Sequence, residues 1–314
     1  MNIGLDMMGG DFAPLETIKG LQLFFESHST QANLFLFGDE EQLKELVSKH
    51  NLPSGQCKII PTTEMIGMNE HPTKALKEKP KSSISVGFHF LASGKIDAFI
   101  SAGNTGAMLV GTLYSIKAIE GVQRPTISTI IPKENGRTGL LLDVGLNSDC
   151  KAEHLNQFAL LGSLYAQHIL SIDNPRVSLL NIGEEEGKGN LLAQAAYPLL
   201  KENKQINFVG NIEGRDVLLD KADVMVCEGF TGNVILKMAE SLYEITHQKN
   251  IQHEYFERFN FENYGGTPVL GVSKPVIIGH GISHATAFKN MVLLAEKMLE
   301  SNLLEKMKQS FTQS

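Results

Sequence analysis

The sequence predicts an α/β fold built on a parallel sheet, and two observations support this prediction. Short apolar runs alternate along the chain with longer segments whose apolar residues recur at helical spacing. Glycines cluster directly after several of the short runs, at the points where a strand would turn into a helix. Parallel strands need long crossover connections, and the helical segments are long enough to supply them.

The individual elements follow from these runs and from the residues that punctuate them. Apolar runs bounded by glycine, proline or polar residues predict the strands Asn2–Asp6, Ala32–Phe37, Lys58–Pro61, Asp97–Ser101, Ile127–Ile131, Gly139–Asp143, Val177–Asn181, Ile206–Val209, Asp223–Cys227 and Val276–Ile278. Segments of helical period predict the helices Leu15–Glu26, Glu40–Lys49, Ile84–Ser93, Thr105–Lys117, Ala152–Leu170, Asn190–Lys201, Gly232–Thr246 and Ser283–Ser301. We expect a single domain over residues 1–314, with a short helical excursion at about 246–263.

Composition and charge exclude several classes of protein. The formal net charge is −7, which argues against a protein that binds nucleic acid through an extended basic surface. The 3 cysteines lie far apart and form no disulfide or metal spacing, which fits a reducing compartment. The N-terminus lacks the pattern of a signal peptide, and no apolar run approaches the ~18 residues that a membrane helix needs. These features predict a cytoplasmic protein.

Six glycine-containing loops are the strongest functional signal. They cover residues 8–11, 102–106, 181–190, 228–233, 264–267 and 279–283. Glycine lets backbone N–H groups approach an anion, and a following helix N-terminus adds unpaired donors. Each loop alone is better explained by a tight turn or a helix cap than by an anion site. Together they favour a phosphate site at the carboxyl ends of the strands, where ligands bind in open α/β sheets.

Familiar catalytic motifs are missing from these loops. No G-x-G-x-x-G follows a strand, and the stretch from Gly183 to Lys188 misses the P-loop spacing by one residue. Lys188, between two glycines, would either neutralise a bound phosphate or pair with the acids at 184–186. A lone histidine is usually structural, but His280 also lies between two glycines after a strand, which makes it a better site candidate than the average histidine. Acids near strand ends more often cap helices than bind Mg²⁺, so no metal is predicted.

The loops, in their order along the chain, resemble the PlsX family of acyl-(acyl-carrier-protein):phosphate acyltransferases. The resemblance covers nearly the whole chain, from Ile3 to about Ala295. The matching stretches are Leu5–Asp11, Ser101–Ala107, Leu141–Gly145, Leu179–Glu184 with Lys188–Asn190, Asn207–Glu213, Gly229–Val234 with Leu236–Lys237, and Tyr264–Gly266. Each stretch is a moderate signal, and their common order makes the resemblance specific.

The resemblance implies a fold and a reaction. The fold is a three-layer α/β/α arrangement with a mainly parallel sheet, similar to the isocitrate and isopropylmalate dehydrogenases and to the phosphate acetyltransferases. The reaction transfers a long-chain fatty acyl group from an acyl carrier protein to inorganic phosphate. The implied protein is a homodimer that needs no cofactor. The alternatives that remain are an acyltransferase of the same architecture that uses acyl-CoA, a dehydrogenase of the isocitrate type, and a binding protein without activity.

The sequence departs from the family pattern at four places. Glu228 stands where the family usually has Asp, Leu146 where it has Ala, and Ile282 where it has Ser. The segment between Ser241 and Tyr264 is also shorter than in many members. Because that segment contributes to dimer contacts and, in some members, to the membrane surface, its shortening argues against peripheral membrane association here.

The resemblance and the chemistry together predict the site residues. Lys188, His280 and Asn233 are the expected catalytic residues, with Lys188 on phosphate and the other two near the carbonyl oxygen or the departing sulfur. The expected substrate-binding residues are Asp6, Gly9, Gly10, Asp11, Gly103, Asn104, Thr105, Gly106, Asn147, Asn190, Asn211, Glu228, Gly229, Thr231 and Gly232.

A run of lysines is the expected docking surface for the carrier. Acyl carrier protein is acidic, and this chain is acidic overall, so a local basic patch is needed for steering. The richest candidate comprises Lys74, Lys77, Lys79 and Lys81. A charge run is usually a solvated helix face, and that alternative stays open.

Overall fold

A computed structural model describes residues 1–312 of the chain. The chain divides into two compact units. The first unit comprises Met1–Lys117 and Phe261–Glu300, and the second comprises Ala118–Asn260 and the residues from Ser301 onward. The single domain expected over residues 1–314 stays a prediction, and its last two residues lie outside the described part.

Strands and helices alternate along most of the chain. The strands are β1 (Asn2–Asp6), β2 (Asn33–Gly38), β3 (Cys57–Pro61), β4 (Ala98–Ser101), β5 (Thr126–Pro132), β6 (Thr138–Leu142), β7 (Arg176–Asn181), β8 (Asn207–Glu213), β9 (Val224–Val226), β10 (Thr267–Leu270) and β11 (Val276–Ile278). The α-helices are α1 (Leu15–Ser27), α2 (Glu40–Lys49), α3 (Pro72–Glu78), α4 (Ser83–Ala92), α5 (Thr105–Ser115), α6 (Ala152–His168), α7 (Leu191–Glu202), α8 (Gly229–Gln248), α9 (Glu254–Glu257), α10 (Ala285–Glu300) and α11 (Leu303–Thr312).

The sheet of the first unit runs in the order β3-β2-β1-β4-β11-β10. All neighbours are parallel except β10, which is antiparallel to β11. Strand β4 and nearly all of β1 are buried without interruption. Because successive side chains point to opposite faces, this continuous burial means that both faces are covered, as in a three-layer fold.

Glycines set the packing of helices in the first unit. The ring of Phe99 in β4 lies 5.2 Å from the ring of Phe88 in α4. A side chain at Gly87 would lie 2.2 Å from Phe99, so glycine is needed there for α4 to reach the sheet. Likewise, α1 packs on α10 at Gly20, where a Cβ would lie 2.5 Å from the Cβ of Phe288.

The sheet of the second unit runs in the order β5-β6-β9-β7-β8. The only antiparallel pair among its described strands is β5 with β6. Helix α6 approaches the sheet closely at Gly162, where a Cβ would lie 2.8 Å from Val224 and 2.9 Å from Leu142. The unit therefore repeats the plan of a mainly parallel sheet with packed helices.

One buried charge in the second unit lies at the amino-terminal side of β6. Lys133 follows β5 and is 1% exposed. Its ammonium donates to the carbonyl oxygen of Val217 at 2.8 Å and lies 3.4 Å from the sulfur of Met225. Burial lowers the pKa of Lys133 from 10.5 to about 8, against the opposing effect of Asp223.

The predicted α/β class with a mainly parallel sheet is confirmed, and every predicted strand and long helix is present. Strand β10 and helices α3 and α11 were not predicted from the sequence. Strand β10 is short and contains a proline, and α3 has too few apolar residues to show a helical period. The stretch 246–263 contains the end of α8, then α9 and the start of a 3-10 turn. No helix within residues 1–312 is long and apolar enough to cross a membrane.

Candidate active site

The first unit brings three of the predicted glycine loops together. The loops follow β1, β4 and β11, whose carboxyl ends share one edge of the sheet because these strands are parallel. A Cβ at Gly9 would lie 2.7 Å from the backbone nitrogen of Gly103, so the first two loops touch through glycine. The N–H of Asp11 donates to the carbonyl oxygen of Gly281 at 2.8 Å, which joins the third loop. We call these loops the first loop cluster.

Asp6 is the buried acid beneath the first loop cluster. It is 1% exposed and accepts hydrogen bonds from the hydroxyl of Ser101 at 2.6 Å and the N–H of Met8 at 3.0 Å. Burial raises the pKa of Asp6, and the hydrogen bonds from Ser101 and Ser83 only partly oppose that effect. The hydroxyl of Ser101 also accepts the N–H of Gly103 at 2.9 Å. Asp6 and Ser101 therefore hold two glycine loops in place.

Asn104 has two structural tasks, the helix cap that is among the expected roles of its loop and a second one that the sequence does not predict. Its side-chain oxygen caps α5 by accepting the N–H of Ala107 at 2.9 Å. Its amide nitrogen donates to the carbonyl oxygens of Gly67, Met68 and Glu70 at 3.0 to 3.2 Å. The side chain is 4% exposed and fully engaged. Asn104 thus ties the segment 67–70 to the second glycine loop, and nothing in the sequence pattern of that segment signals this contact.

The other predicted residues of the first loop cluster differ in exposure. Gly10 adopts a φ of 107°, a conformation that favours glycine. Thr105 and Asp11 are exposed at the surface. A Cβ at Gly106 would lie 2.3 Å from Pro72, so this glycine admits α3. His280 is exposed, and its ring lies 5.1 Å from the ring of Phe261.

The loop at 264–267 lies at the same edge but is packed. It precedes β10, and Thr267 pairs with Ile278 at the end of β11. A Cβ at Gly265 would lie 2.5 Å from the backbone nitrogen of Met291 in α10. These glycines therefore serve the packing of α10 on the sheet.

The second unit packs the glycine loop at 228–233 against the loop of Asp143, which follows β6. Asp143 is 0% exposed. Its carboxylate accepts the N–H groups of Gly145 at 3.1 Å, Leu146 at 3.0 Å and Asn147 at 2.8 Å, and the side-chain amide of Asn147 at 2.6 Å. This arrangement uses Asp143 as the anchor of its own loop, the structural alternative to a metal ligand. No cluster of three or more metal-ligating side chains occurs within residues 1–312.

The start of α8 is pressed against the Asp143 loop. The N–H of Gly229 donates to the carbonyl oxygen of Asn147 at 2.7 Å. A Cβ at Gly232 would lie 1.8 Å from the carbonyl oxygen of Asp143, so only glycine fits. The amide of Asn233 donates to the carbonyl oxygen of Val144 at 3.2 Å. The helix N-terminus and the 143–147 loop are thus one rigid structure.

Glu228 caps α8 despite its extra methylene. Its carboxylate accepts the N–H of Thr231 at 3.2 Å and the hydroxyl of Thr231 at 2.5 Å. The substitution of Glu for the family's Asp is therefore accommodated as a helix cap. Leu146, the second departure, is held by its backbone N–H on Asp143, which does not depend on its side chain.

Lys188 is exposed and has no hydrogen bond or ion pair from its ammonium within the described chain. Two of the three acids of its loop are paired elsewhere: Glu184 pairs with Lys221 at 2.7 Å, and Glu186 pairs with Lys201, while Glu185 forms no ion pair in the described part of the chain. The interpretation of Lys188 as a salt-bridge partner of these acids is therefore wrong. The loop itself is fixed, because the amide of Asn181 donates to the carbonyl oxygen of Lys188 at 3.1 Å.

Two asparagines flank the Lys188 loop. Asn190 caps α7 by accepting the N–H of Ala193 at 2.8 Å. Asn211 in β8 is 7% exposed and donates to the carbonyl oxygen of Glu185 at 2.9 Å. The side-chain oxygen of Asn211 is buried without a hydrogen-bond partner. We call the loops at 143–147, 182–190 and 227–233 the second loop cluster.

The lysines of the expected carrier-docking surface are not equivalent. Lys79 pairs with Glu70 at 2.5 Å and also donates to a backbone carbonyl, so it stabilises the segment 67–70. Lys74 forms only a long 3.9 Å pair within its helix. Lys77 and Lys81 are exposed and carry no ion pair in the described part of the chain. Lys77 and Lys81 are therefore the lysines available to a partner.

Almost the whole chain matches one family of known proteins. The family model described as fatty acid synthesis protein matches residues 1–306. The phosphate acyltransferase of Halothermothrix orenii is 44% identical over 329 residues, which covers 98% of this chain and 98% of that protein. The phosphate acyltransferase of Dictyoglomus turgidum is 41% identical over 330 residues, with coverage of 98% and 96%.

Solved structures of phosphotransacetylases share the fold. The phosphotransacetylase of Streptococcus pyogenes superposes with a TM-score of 0.66 at 17% identity, covering 96% of this chain and 94% of that one. The EutD phosphotransacetylase of Staphylococcus aureus gives a TM-score of 0.64 at 17% identity, with coverage of 95% and 94%. At this identity the likeness concerns the fold alone, and it agrees with the predicted architecture.

Proposed function

The chain belongs to the fatty acid synthesis protein family of phosphate acyltransferases, and we propose that it transfers a long-chain fatty acyl group from an acyl carrier protein to inorganic phosphate. The product would be an acyl phosphate that serves phospholipid synthesis. The observation that carries this proposal is the 44% identity to a phosphate acyltransferase over 98% of the chain. The acyl carrier protein as donor and the long acyl chain are what the family resemblance implies.

The second loop cluster is the proposed phosphate site. Lys188 offers an unpaired ammonium beside a fixed backbone, and α7 and α8 both begin in these loops. Helix N-termini and a free cation favour a dianion. Glu184 and Glu186 are paired with lysines from outside the loop, which weakens their repulsion of the anion, whereas Glu185 has no ion pair in the described part of the chain. The predicted role of the loop at 103–106 in binding phosphate stays a prediction.

The chemistry needs positioning more than acid–base help. An oxygen of hydrogen phosphate attacks the thioester carbon, and the carbonyl electrons move to oxygen. They return as the carbon–sulfur bond breaks, and the sulfur leaves with that electron pair and takes up the proton that phosphate gives up. A thiol with a reference pKa of about 8.5 is an adequate leaving group near neutral pH. The protein must hold the anion against the carbon and stabilise the oxyanion, which fixed N–H groups and amides do. The roles predicted for Asn233 and for His280, near the carbonyl oxygen or the departing sulfur, stay predictions.

Substitution of Lys188 tests the phosphate site. Lys188→Ala should raise the KM for phosphate by about tenfold or more, since it removes a charge-assisted contact worth about 1.5 kcal/mol or more. The KM for the acyl donor should change little. Lys204→Ala, which removes an exposed lysine outside the loops, is the matched control. Unchanged phosphate kinetics in Lys188→Ala would show that phosphate binds elsewhere.

The donor is tested by direct competition. Palmitoyl thioesters of carrier protein and of coenzyme A are supplied separately with phosphate, and acyl phosphate is trapped with hydroxylamine. We expect a higher kcat/KM with the thioester of acyl carrier protein than with that of coenzyme A. A preference for coenzyme A would favour the alternative acyltransferase that uses acyl-CoA. The dehydrogenase alternative finds no support in the family match.

We further propose that the protein acts as a cytoplasmic homodimer through helix α8. Five exposed apolar side chains line one face of this helix, at spacings of three and four residues. They are Phe230, Val234, Met238, Leu242 and Ile245, between 36% and 68% exposed. Such a contiguous apolar stripe is typical of an interface, and the resemblance implies a dimer.

A further inference from the structure

A small apolar surface borders the first loop cluster. Phe12 is 44% exposed, Met68 40% and Ile282 44%. Single exposed apolar side chains are ordinary, but neighbouring ones beside a polar site are characteristic of a surface that binds an apolar group. We call these three side chains the apolar rim.

The three side chains belong to different segments that meet at Gly281. The terminal methyl of Met68 would lie 2.6 Å from a Cβ at Gly281, and Ile282 is the next residue. The N–H of Asp11, the residue before Phe12, donates to the carbonyl oxygen of Gly281 at 2.8 Å. The rim therefore lies beside His280, at the loop that contains both His280 and Ile282.

The rim is held in place by a polar framework behind it. The amide of Asn104 donates to the carbonyl oxygen of Met68 at 3.2 Å. The carboxylate of Glu70 accepts the N–H of Gly67 at 2.6 Å and the ammonium of Lys79. The ring of Phe12 stacks on the ring of His284 at 4.5 Å. These contacts hold the backbone at Met68 and the ring of Phe12 in place.

We propose that the apolar rim receives the alkyl chain of the acyl donor and sets the preference for chain length. This inference rests on the proposed function, which supplies a donor with a fatty acyl chain. Each methylene taken out of water favours binding by about fourfold, so a short apolar wall suffices to discriminate between chains. The flexible thioether of Met68 suits a chain without fixed shape. Ile282, where the family has Ser, makes this wall more apolar here.

Kinetics with donors of different length test the rim. Met68→Ala and Ile282→Ser should lower kcat/KM for the palmitoyl donor by about tenfold and for the octanoyl donor much less. Leu23→Ala removes an apolar side chain of similar exposure (39%) from α1 and is the matched control. A chain-length profile in both rim variants equal to that of the wild type would overturn the proposal.

A binding measurement separates this inference from the proposed function. The chain contains no tryptophan, so Phe12→Trp creates a reporter without background. Palmitoyl-(acyl carrier protein) should shift the fluorescence emission of this tryptophan to the blue, and acetyl-(acyl carrier protein) should not. The control Tyr114→Trp, at the far end of α5, should respond to neither donor. The same response of Phe12→Trp to both donors, or no response, would count against the rim. If the wild-type protein formed no acyl phosphate from any donor, the proposed function would fail, and the fluorescence would still decide the rim.

Discussion

Asp143→Asn tests whether a buried carboxylate organises the second loop cluster. The carboxylate is 0% exposed and accepts four hydrogen bonds, two on each oxygen. An asparagine keeps the shape but replaces one oxygen by a donor. In either orientation of the asparagine, its NH₂ group replaces an oxygen that accepted two hydrogen bonds, so two N–H donors lose their acceptor. Asn147 cannot turn its own amide to compensate without losing its 2.8 Å bond to the carbonyl oxygen of Pro125.

The magnitude follows from those two lost bonds. A hydrogen bond to a charged group contributes about 1.5 to 3 kcal/mol, so two of them amount to about 3 to 6 kcal/mol. The substitution also removes the desolvation cost of a buried charge, which offsets part of this loss. We therefore expect the free energy of unfolding to fall by about 3 kcal/mol. Because Gly229 bonds to the carbonyl oxygen of Asn147, the start of α8 should loosen as well, and acyl transfer should fall by at least tenfold.

Urea unfolding followed by far-UV circular dichroism measures this loss without a tryptophan signal. The matched control is Asp149→Asn, an exposed acid close by, for which we expect a change within about 0.5 kcal/mol. If Asp143→Asn were as stable as Asp149→Asn, the carboxylate would not be the anchor of the loop.

Three further predictions concern other parts of the molecule. Burial lowers the pKa of Lys133 from 10.5 to about 8 in the folded state. Between the pH values that equal these two pKa values, the unfolded state therefore binds more protons than the folded state. Stability should therefore rise by at most about 3 kcal/mol from the lower to the upper pH, and urea titrations of Lys133→Met should lack that rise. Reversing Lys77 and Lys81 to Glu should raise the KM for acyl carrier protein severalfold at low salt and less at high salt, with no effect on palmitoyl-CoA; equal effects on both donors would contradict carrier docking. Met238→Lys should convert a dimer into a monomer in light scattering, while Glu244→Lys, off the apolar stripe, should not; a dimer that persists in Met238→Lys would exclude this face.

Much of the fold was predictable because its signals are local. The apolar run Asn2–Asp6 and the glycines after it predict a strand and a turn from the sequence alone. The missed elements lack such signals: α3 is rich in lysine, and β10 contains a proline. In both cases neighbours in the fold, rather than local preference, determine the structure.

The candidate site was predictable in its loops but not in the duties of its side chains. Glycines such as Gly232 are visible in the sequence, and the structure gives the contact that requires each one. Asn104 was expected to bind substrate, yet all its polar atoms are engaged in capping and in holding residues 67–70. Those partners lie about 35 residues away, and no spacing rule connects them. The pairing of Glu184 and Glu186 with distant lysines, which leaves Lys188 unpaired, is likewise a tertiary property.

The central claim is that inorganic phosphate attacks the acyl thioester and remains in the product. Radiolabelled phosphate, incubated with the protein and palmitoyl carrier, tests it directly. We predict label in an acyl phosphate that extracts into organic solvent and is destroyed by hydroxylamine, in amounts equal to the free carrier thiol released. Release of carrier thiol without label in the lipid fraction would indicate hydrolysis by water and would contradict the account.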